Sequence, residues 1–417
     1  MKRILAILSL LMGCGRISLP TDLFSGHDSL STADDFRVHE WGTFTSVVRS
    51  TGFELEGLHH EEERLPEFVY GRAALNSAQS NPHCNAGDTK CVDTPPGGFS
   101  GVTQKLETPV IYFYGTGVSS AIVHVDFPTG LISQWYPNAQ NFYPPLGPTP
   151  IAQGSMDWHI QLVPGLGGFP EVPANDIWAP SRRVRSIPVK VAEEHEQFIF
   201  YRGLGSFMIP ELQVTAHADG TVSLVNHSTE EIQNIFMLHV HNGGGAIQEM
   251  GPLAQAQAIT HMRPPAVEGK ESNLDQYVVK AQKQIATALI QDGLTDDEAQ
   301  AMVDTWSKSY FRSHGLRFLY LVPRTWIDRL LPIQITPVPQ ELVRVFIGRV
   351  DVLTQAEEQQ ALLKVQRAYQ QQTLNLPIIE ELGRFAEPKL RRVRELTSDE
   401  KFKSYCTDLI ALANQSR

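Results

Sequence analysis

Leu212-Gln213-Val214-Thr215-Ala216-His217-Ala218-Asp219-Gly220-Thr221-Val222-Ser223-Leu224-Val225 is the stretch on which the fold class turns. Apolar residues alternate on both sides of Ala218-Asp219-Gly220, the period of a half-buried strand pair. A three-residue loop with Gly220 in the left-handed position pairs His217 with Thr221. It then sets Leu212, Val214 and Ala216 on the same face as Val222 and Leu224. A two-residue loop at Asp219-Gly220 would pair Ala216 with Ser223 and mix the faces, so the longer turn is expected.

Outward from this hairpin, short apolar runs punctuated by Pro and Gly recur at residues 43–48, 109–114, 121–127, 131–136, 197–201 and 235–240. Strands at this density, with no helical period between most of them, predict one or two antiparallel sandwiches. Beyond Pro252 the pattern changes. Ser272-Asn273-Leu274-Asp275 opens a helix running to Gly293, and Thr295-Asp296-Asp297-Glu298 is a capping box for another through Trp306. Residues 316–321 and 342–350 read as strands around a Pro-rich segment. Thr354-Gln355-Ala356-Glu357 caps a helix to about Gln372, and further helices are broken at Pro377 and Pro388 and capped at Thr397-Ser398-Asp399-Glu400. The expected class is α+β, a β-sandwich-like N-terminal half followed by a mainly α-helical C-terminal half. The expected division is a signal peptide at 1–13, a tether at 14–35, a β-rich domain at 36–255 and a mainly helical domain with a short β segment at 256–417.

Of 417 residues, 42% are hydrophobic and 19% charged, a globular composition. Lys and Arg number 35 against 46 Asp and Glu, and the longest basic cluster is Arg182-Arg183-Val184-Arg185. The net charge of −11 removes the electrostatic term that dominates nucleic-acid binding, so no nucleic-acid partner is expected.

Met1-Lys2-Arg3 and the apolar run 4–12 form a basic n-region and an h-region too short to span a bilayer. Leu11-Met12-Gly13-Cys14 resembles the lipobox of bacterial lipoproteins, which makes Cys14 the lipid-bearing mature N-terminus. The alternative is a plain signal peptide cut further on. By the same analogy, Gly15 where an Asp would favour inner-membrane retention points, if the cell is Gram-negative, to a lipid anchor in the outer membrane of the cell envelope. Cys84 and Cys91 bracket a polar, Gly-containing loop and read as a local disulfide in an oxidising compartment. A zinc reading is weaker, with His83 the only nearby imidazole. Cys406 reads as a small buried hydrophobe.

No Gly-x-Ser-x-Gly elbow is present: Gly203-Leu204-Gly205-Ser206-Phe207 lacks the final Gly. No P-loop, dinucleotide fingerprint or zincin His pair occurs either. Two constellations carry chemistry. His239-Val240-His241 places both imidazoles on one face of a strand, a possible pair of divalent-metal ligands with His217 or His227 as third, or a strand end with two exposed or hydrogen-bonded histidines. In Val38-His39-Glu40-Trp41, His39 and Trp41 share one face and Glu40 takes the other. One ionisable group must therefore lie near the core or in a cleft, with a partner such as Arg202, in a structural or a catalytic pair. Aromatic and proline-rich loops around Trp135, Tyr143 and Trp178 could present flat rings to a sugar or peptide, or pack on their own sheet. The run His59-His60-Glu61-Glu62-Glu63-Arg64 reads as a solvated loop.

His39-Glu40-Trp41-Gly42-Thr43-Phe44-Thr45 resembles the opening of the mature domain in an uncharacterised family of exported bacterial proteins and lipoproteins. Leu106-Glu107-Thr108-Pro109-Val110, Phe198-Ile199-Phe200-Tyr201-Arg202-Gly203, Leu319-Tyr320-Leu321-Val322-Pro323-Arg324 and Gly383-Arg384-Phe385-Ala386-Glu387-Pro388 are similar to further segments of it in the same order. The resemblance implies export and one architecture for both halves; it implies no activity. Two functions follow as expectations. The first is a membrane-anchored envelope lipoprotein that binds a ligand or partner, its discriminating feature an aromatic groove near Trp135 and Tyr143. The alternative is an extracytoplasmic hydrolase, with His39, Glu40, Glu107 and Arg202 converging in a cleft or with a metal on His239 and His241 activating water.

Overall fold

The computed structural model describes residues 33–58, 64–72, 101–145, 151–207, 209, 211–267, 273–371, 374 and 376–415. In chain order the strands are β1 (Ala33–Val48), β2 (Tyr70–Gly71), β3 (Gln104–Tyr114), β4 (Ser120–Phe127), β5 (Gly130–Tyr136), β6 (Asn141–Tyr143), β7 (Gly154–Leu162), β8 (Val189–Val191) and β9 (Glu194–Glu196). Then come β10 (Ile199–Gly205), β11 (Leu212–Ala216), β12 (Val222–Asn226), β13 (Ile235–His241), β14 (Gly244–Glu249) and β15 (Ala258–Met262). The helices α1 (Leu274–Gln291) and α2 (Asp296–Thr305) precede β16 (Gly315–Leu321), α3 (Arg324–Leu330), β17 (Ile333–Thr336) and β18 (Pro339–Val352). The chain ends in α4 (Gln355–Gln370), α5 (Leu376–Leu382), α6 (Ala386–Glu395) and α7 (Glu400–Gln415). The class is α+β as expected, with strand concentrated in the first 300 or so residues and helix in the C-terminal part.

A nine-stranded sheet in the order β14-β13-β16-β18-β1-β3-β10-β5-β2 organises the molecule. A second sheet, β17-β4-β7-β8-β9 with β6 beside β7, and a third, β11-β12-β15, complete the β structure. Among the described residues the strand pairings are antiparallel with one exception that the expected sandwich did not contain. β1 pairs parallel to β18, Val38 opposite Leu342, Glu40 opposite Arg344 and Thr45 opposite Arg349. The main sheet thus takes strands from both sides of residue 255, with β16 and β18 lying between β13 and β1.

Alternation on β1 separates two faces. Glu40 faces the smaller sheets: its carboxylate accepts from Tyr201 Oη of β10, whose ring lies 6.0 Å from Trp158 of β7. His39 and Thr45 face the helices through Glu298 of α2 and the Glu107 network that reaches Arg384. Helices on one side and small sheets on the other cover the main sheet, and Trp41, Phe44, Ile111, Tyr201 and Phe318 are buried in it.

The 212–225 hairpin has the expected register. Ala216 pairs with Val222, His217 N donates to Thr221 O at 2.8 Å, and Gly220 has φ +80°. Both capping boxes, Thr295 with Glu298 and Thr354 with Glu357, are formed reciprocally, and Asn273 caps α1. Pro377 and Pro388 lie in the first turns of α5 and α6, where a missing N–H costs nothing. One cap is displaced from expectation. α7 starts at Glu400, so Asp399, not Thr397, accepts from Lys401 N (2.9 Å) and Phe402 N (3.3 Å). Helices α4 to α7 enclose their own small core of Val365, Ile379, Leu390, Cys406 and Leu409. Val47, Leu55, Leu353 and Phe385 join it to the sheet.

Glu40 and Arg344 are cross-strand neighbours with no exposed side-chain surface. Arg344 also donates to Asp328 Oδ1 (2.8 Å) and Leu331 O (2.7 Å). Removing one member strands a buried charge, which costs about 3–5 kcal/mol, whereas replacing both by apolar groups avoids that penalty. Urea unfolding of Glu40→Ala should therefore show a loss of that size, and Glu40→Leu/Arg344→Met should lie closer to wild type than either single variant. A loss under about 1 kcal/mol in Glu40→Ala would contradict the assignment.

Candidate functional site

The four acid, base and cation candidates do not converge. His39 Nδ1 lies 2.9 Å from Glu298 Oε2, and the other oxygen of Glu298 accepts from Tyr114 Oη at 2.7 Å. Glu40 is on the reverse face with the Arg344 guanidinium as its ion partner.

 The expected partner of this pair, Arg202, is bonded to neither. Parallel pairing places Arg344 directly beside Glu40, while β3 and β10 carry Arg202 to the helix-facing side.

Glu107 and Arg202 do come together. A bulge in β3 makes this possible: Trp41 pairs with Val110 but Thr43 with Glu107, and Thr108 takes φ +52°. Without the extra residue, alternation would send Glu107 to the opposite face from Val110. Glu107 accepts from Thr45 Oγ1 (2.7 Å), Tyr310 Oη and Arg384, with Lys105 Nζ at 3.8 Å. Burial opposes its ionisation, but Arg384, Lys105, Arg349 and the Tyr310 hydroxyl outweigh it and hold the carboxyl well below the usual range. Arg349 stacks 4.0 Å over the Tyr310 ring and bonds Asp351 at 2.6 Å, and Asp351 accepts from Arg317 at 3.1 Å. The void that Glu107 and Arg202 border, with Trp306 and Ser309, has a volume of about 20 Å³. That is room for roughly one water, not a substrate.

His239 and His241 lie side by side, ring centroids 5.4 Å apart, and His239 Nδ1 is 3.2 Å from Pro265 O. Burial lowers the His239 pKa. The proposed third ligands are held elsewhere: His217 Nε2 is 2.7 Å from Ser223 Oγ and its ring stacks on His261, and His227 Nε2 is 2.9 Å from Gln213 Oε1. Among the described residues no group of three or more His, Cys, Asp or Glu is placed to hold a metal ion. Cys14, Cys84 and Cys91 lie outside the described residues; Cys406 is buried and free.

The aromatic loops pack on their own sheet. Trp135 is buried between Tyr70, stacked at 6.0 Å, and Phe142 at 5.2 Å, with Arg72 over the Phe142 ring. Trp178 is buried against Phe200, and Tyr143 alone of the three is exposed. The expected groove at Trp135 is filled by its own neighbours.

The open concavity is elsewhere, where β1 runs out. The chain turns at Arg49–Phe53, with Arg49 N bonded to Phe53 O (2.9 Å) and Gly52 N to Arg49 O (2.8 Å). Gly52 has φ +86°, and a Cβ there would stand 2.8 Å from Val214 O, so both conformation and space require glycine. The turn is stitched to β11 by Ala216 N to Ser50 O (2.8 Å) and to α4 by Ser50 N to Glu358 Oε1 (2.8 Å). Between it, the main sheet and β11 opens a groove of about 300 Å³. Ser46, Val48, Tyr320 and Val350 line the sheet side, Leu212 and Gln213 the hairpin side, and Phe53, Ile209 and His227 complete it.

Glu54 is the one carboxylate on this lining. Its Oε1 accepts from Gln104 Nε2 (2.8 Å) and Ile209 N (3.1 Å); its Oε2 is buried and has no donor among the described residues. Burial, reinforced by the charge of Glu211, pushes its pKa from 4.5 to about 7 against those two hydrogen bonds. An apolar cleft with one perturbed acid is the usual form of a small-molecule site. Sequence reasoning missed it. The available signal was an acid between Phe53 and Leu55 just after a glycine turn, which looks the same as a solvated loop until the hairpin closes over it.

No family model matches the chain, and no curated protein does. Among solved structures it is similar to the Fcho1 Mu homology domain from Danio rerio with bound Eps15 peptide, at 8% identity and a TM-score of 0.29, over 78% of this chain and 99% of that one. A likeness of that size transfers neither fold nor function.

An acid whose pKa is raised by folding binds its proton more tightly in the native state. Its contribution to stability is complete below about pH 4.5 and is lost as pH climbs to about 7. Urea unfolding of Glu54→Gln beside wild type should show the variant gaining on wild type from pH 5 to pH 8, by about 2 kcal/mol. Parallel pH profiles for the two proteins would show that Glu54 is not perturbed.

Proposed function

We propose that this protein is a lipid-anchored component of the bacterial cell envelope that binds a small, largely apolar ligand in the Glu54 groove without turning it over. The observation that carries the binding role is the groove itself: about 300 Å³, walled by aliphatic and aromatic side chains, with a single acid on its lining. That volume is at the lower end for small-molecule sites. The groups that a hydrolase would need are committed to one another. His39 is tied to Glu298 and Glu40 to Arg344 on opposite faces of β1, and Glu107 is saturated by Thr45, Tyr310 and Arg384. Anchoring rests on Leu11-Met12-Gly13-Cys14, and export on the n- and h-regions before it. Among the described residues no helix is long and apolar enough to cross a membrane.

Two measurements test the proposal. Labelled palmitate should enter the wild-type chain in cells and be absent from Cys14→Ala; equal labelling removes the anchor. The Cys14→Ala chain should bind the neutral fluorophore N-phenyl-1-naphthylamine saturably, with at least a tenfold loss of affinity in Gln213→Trp, which fills the groove from its hairpin side. Affinity unchanged by that substitution, or no saturable binding, would retire the groove as a ligand site.

A further inference from the structure

We infer that the ligand of the Glu54 groove is an amphiphile with an apolar body and a protonated nitrogen head, an alkylammonium, whose N–H binds the Glu54 carboxylate. This rests on the groove being a ligand site and adds what it selects.

The argument starts from the two oxygens of one side chain. Oε1 is matched by Gln104 and Ile209, whereas Oε2 has no donor among the described residues. A buried acceptor without a donor is costly, so a ligand that supplies the donor gains more than one that brings another acceptor. A carboxylate head would place two acceptors and like charges together. A hydroxyl can donate but brings no charge.

The surrounding charges favour the same head. Glu211 adds a second negative charge close enough to raise the Glu54 pKa. Its own partner Arg329 is paired to it and is more than half exposed. Arg49, on the turn beside Glu54, is bonded to Glu395 (3.0 Å) and stacks 4.7 Å over the ring of Phe53. His227 lies on the exposed rim against Gln213, and the buried Tyr320 holds its phenol well above the ordinary range, with burial the main cause. No group on the lining is therefore a fixed cation. The apolar wall of Val48, Leu212, Val350 and Phe53 is suited to a short aliphatic chain.

Ionisation supplies a handle for the test. With a pKa of about 7, the ionised fraction of Glu54 rises from about a tenth at pH 6 to about nine-tenths at pH 8, while an alkylamine stays protonated throughout. The experiment is displacement of N-phenyl-1-naphthylamine from the full chain carrying Cys14→Ala by octylamine, octanol and octanoate at both pH values and low salt. Octylamine should compete best, and its advantage over octanol should grow about tenfold from pH 6 to pH 8. Glu54→Gln should bring octylamine level with octanol at both pH values. Equal competition by all three, a preference for octanoate, or an amine advantage that does not change with pH in the wild-type protein would overturn the inference. If the fluorophore still binds and Gln213→Trp still blocks it, that failure concerns the head group alone. If the fluorophore never binds, the groove reading fails with it.

Discussion

The parallel contact between β1 and β18 joins residues some 300 positions apart at the middle of the main sheet, and on the face turned to the small sheets it carries the fully buried Glu40–Arg344 ion pair. In a parallel ladder, directly opposed residues point to the same side, so once Val38 meets Leu342 the carboxylate and guanidinium must meet as well. A slip of one residue would set Glu40 beside Val343 or Val345 and separate the two buried charges. The pair therefore does more for register than for net stability, since two apolar residues could hold the same space. Everything beyond it inherits that register: β16 is positioned by β18, β13 by β16, and β3 and β10 by β1.

The other face solves a different problem. Four helices with their own small core must attach to the sheet, and the apolar contact at Val47, Leu353 and Phe385 is modest. Polar ties add direction to it. Glu107 reaches Arg384, Glu358 of α4 accepts from Ser50 N, and Arg392 of α6 bonds Glu358 at 2.9 Å. A charged, hydrogen-bonded seam of this kind admits one arrangement of helices on strands where an oily one would admit several. Its function is attachment, and the near-absence of space around Glu107 follows from that role.

What could be read from the residues alone divides along range. The 212–225 hairpin, the two capping boxes and the Asn273 cap depend on neighbours within a few positions, and each formed as its local chemistry requires. The opposite faces of His39 and Glu40 followed from strand alternation. Their partners did not, because Glu298 and Arg344 lie 259 and 304 residues away. The meeting of Glu107 with Arg202 depended on a one-residue bulge at Thr108, for which the adjoining Pro109 was a hint but no proof. The groove was least legible of all. Its walls come from the end of β1, the 212–225 hairpin and the ends of β16 and β18, and no local pattern announces a space between elements.

Three buried or nearly buried acids on or beside β1 now sort by the completeness of their partners. Glu40 has an arginine and a tyrosine, and Glu107 has two cations within ion-pair reach, a tyrosine and a threonine; each is matched by groups rigidly held in the fold. Glu54 has two donors on one oxygen, none among the described residues on the other, and a second acid nearby. Desolvation acts on Glu54 and Glu107 alike, yet it wins at Glu54, whose proton affinity is raised while that of Glu107 is lowered. The fold matches Glu40 and Glu107 with groups of its own and leaves Glu54 half-matched beside an apolar groove, which is where the proposed ligand would complete the set. That asymmetry sets Glu54 apart from Glu40 and Glu107, and it is what the proposed ligand role rests on.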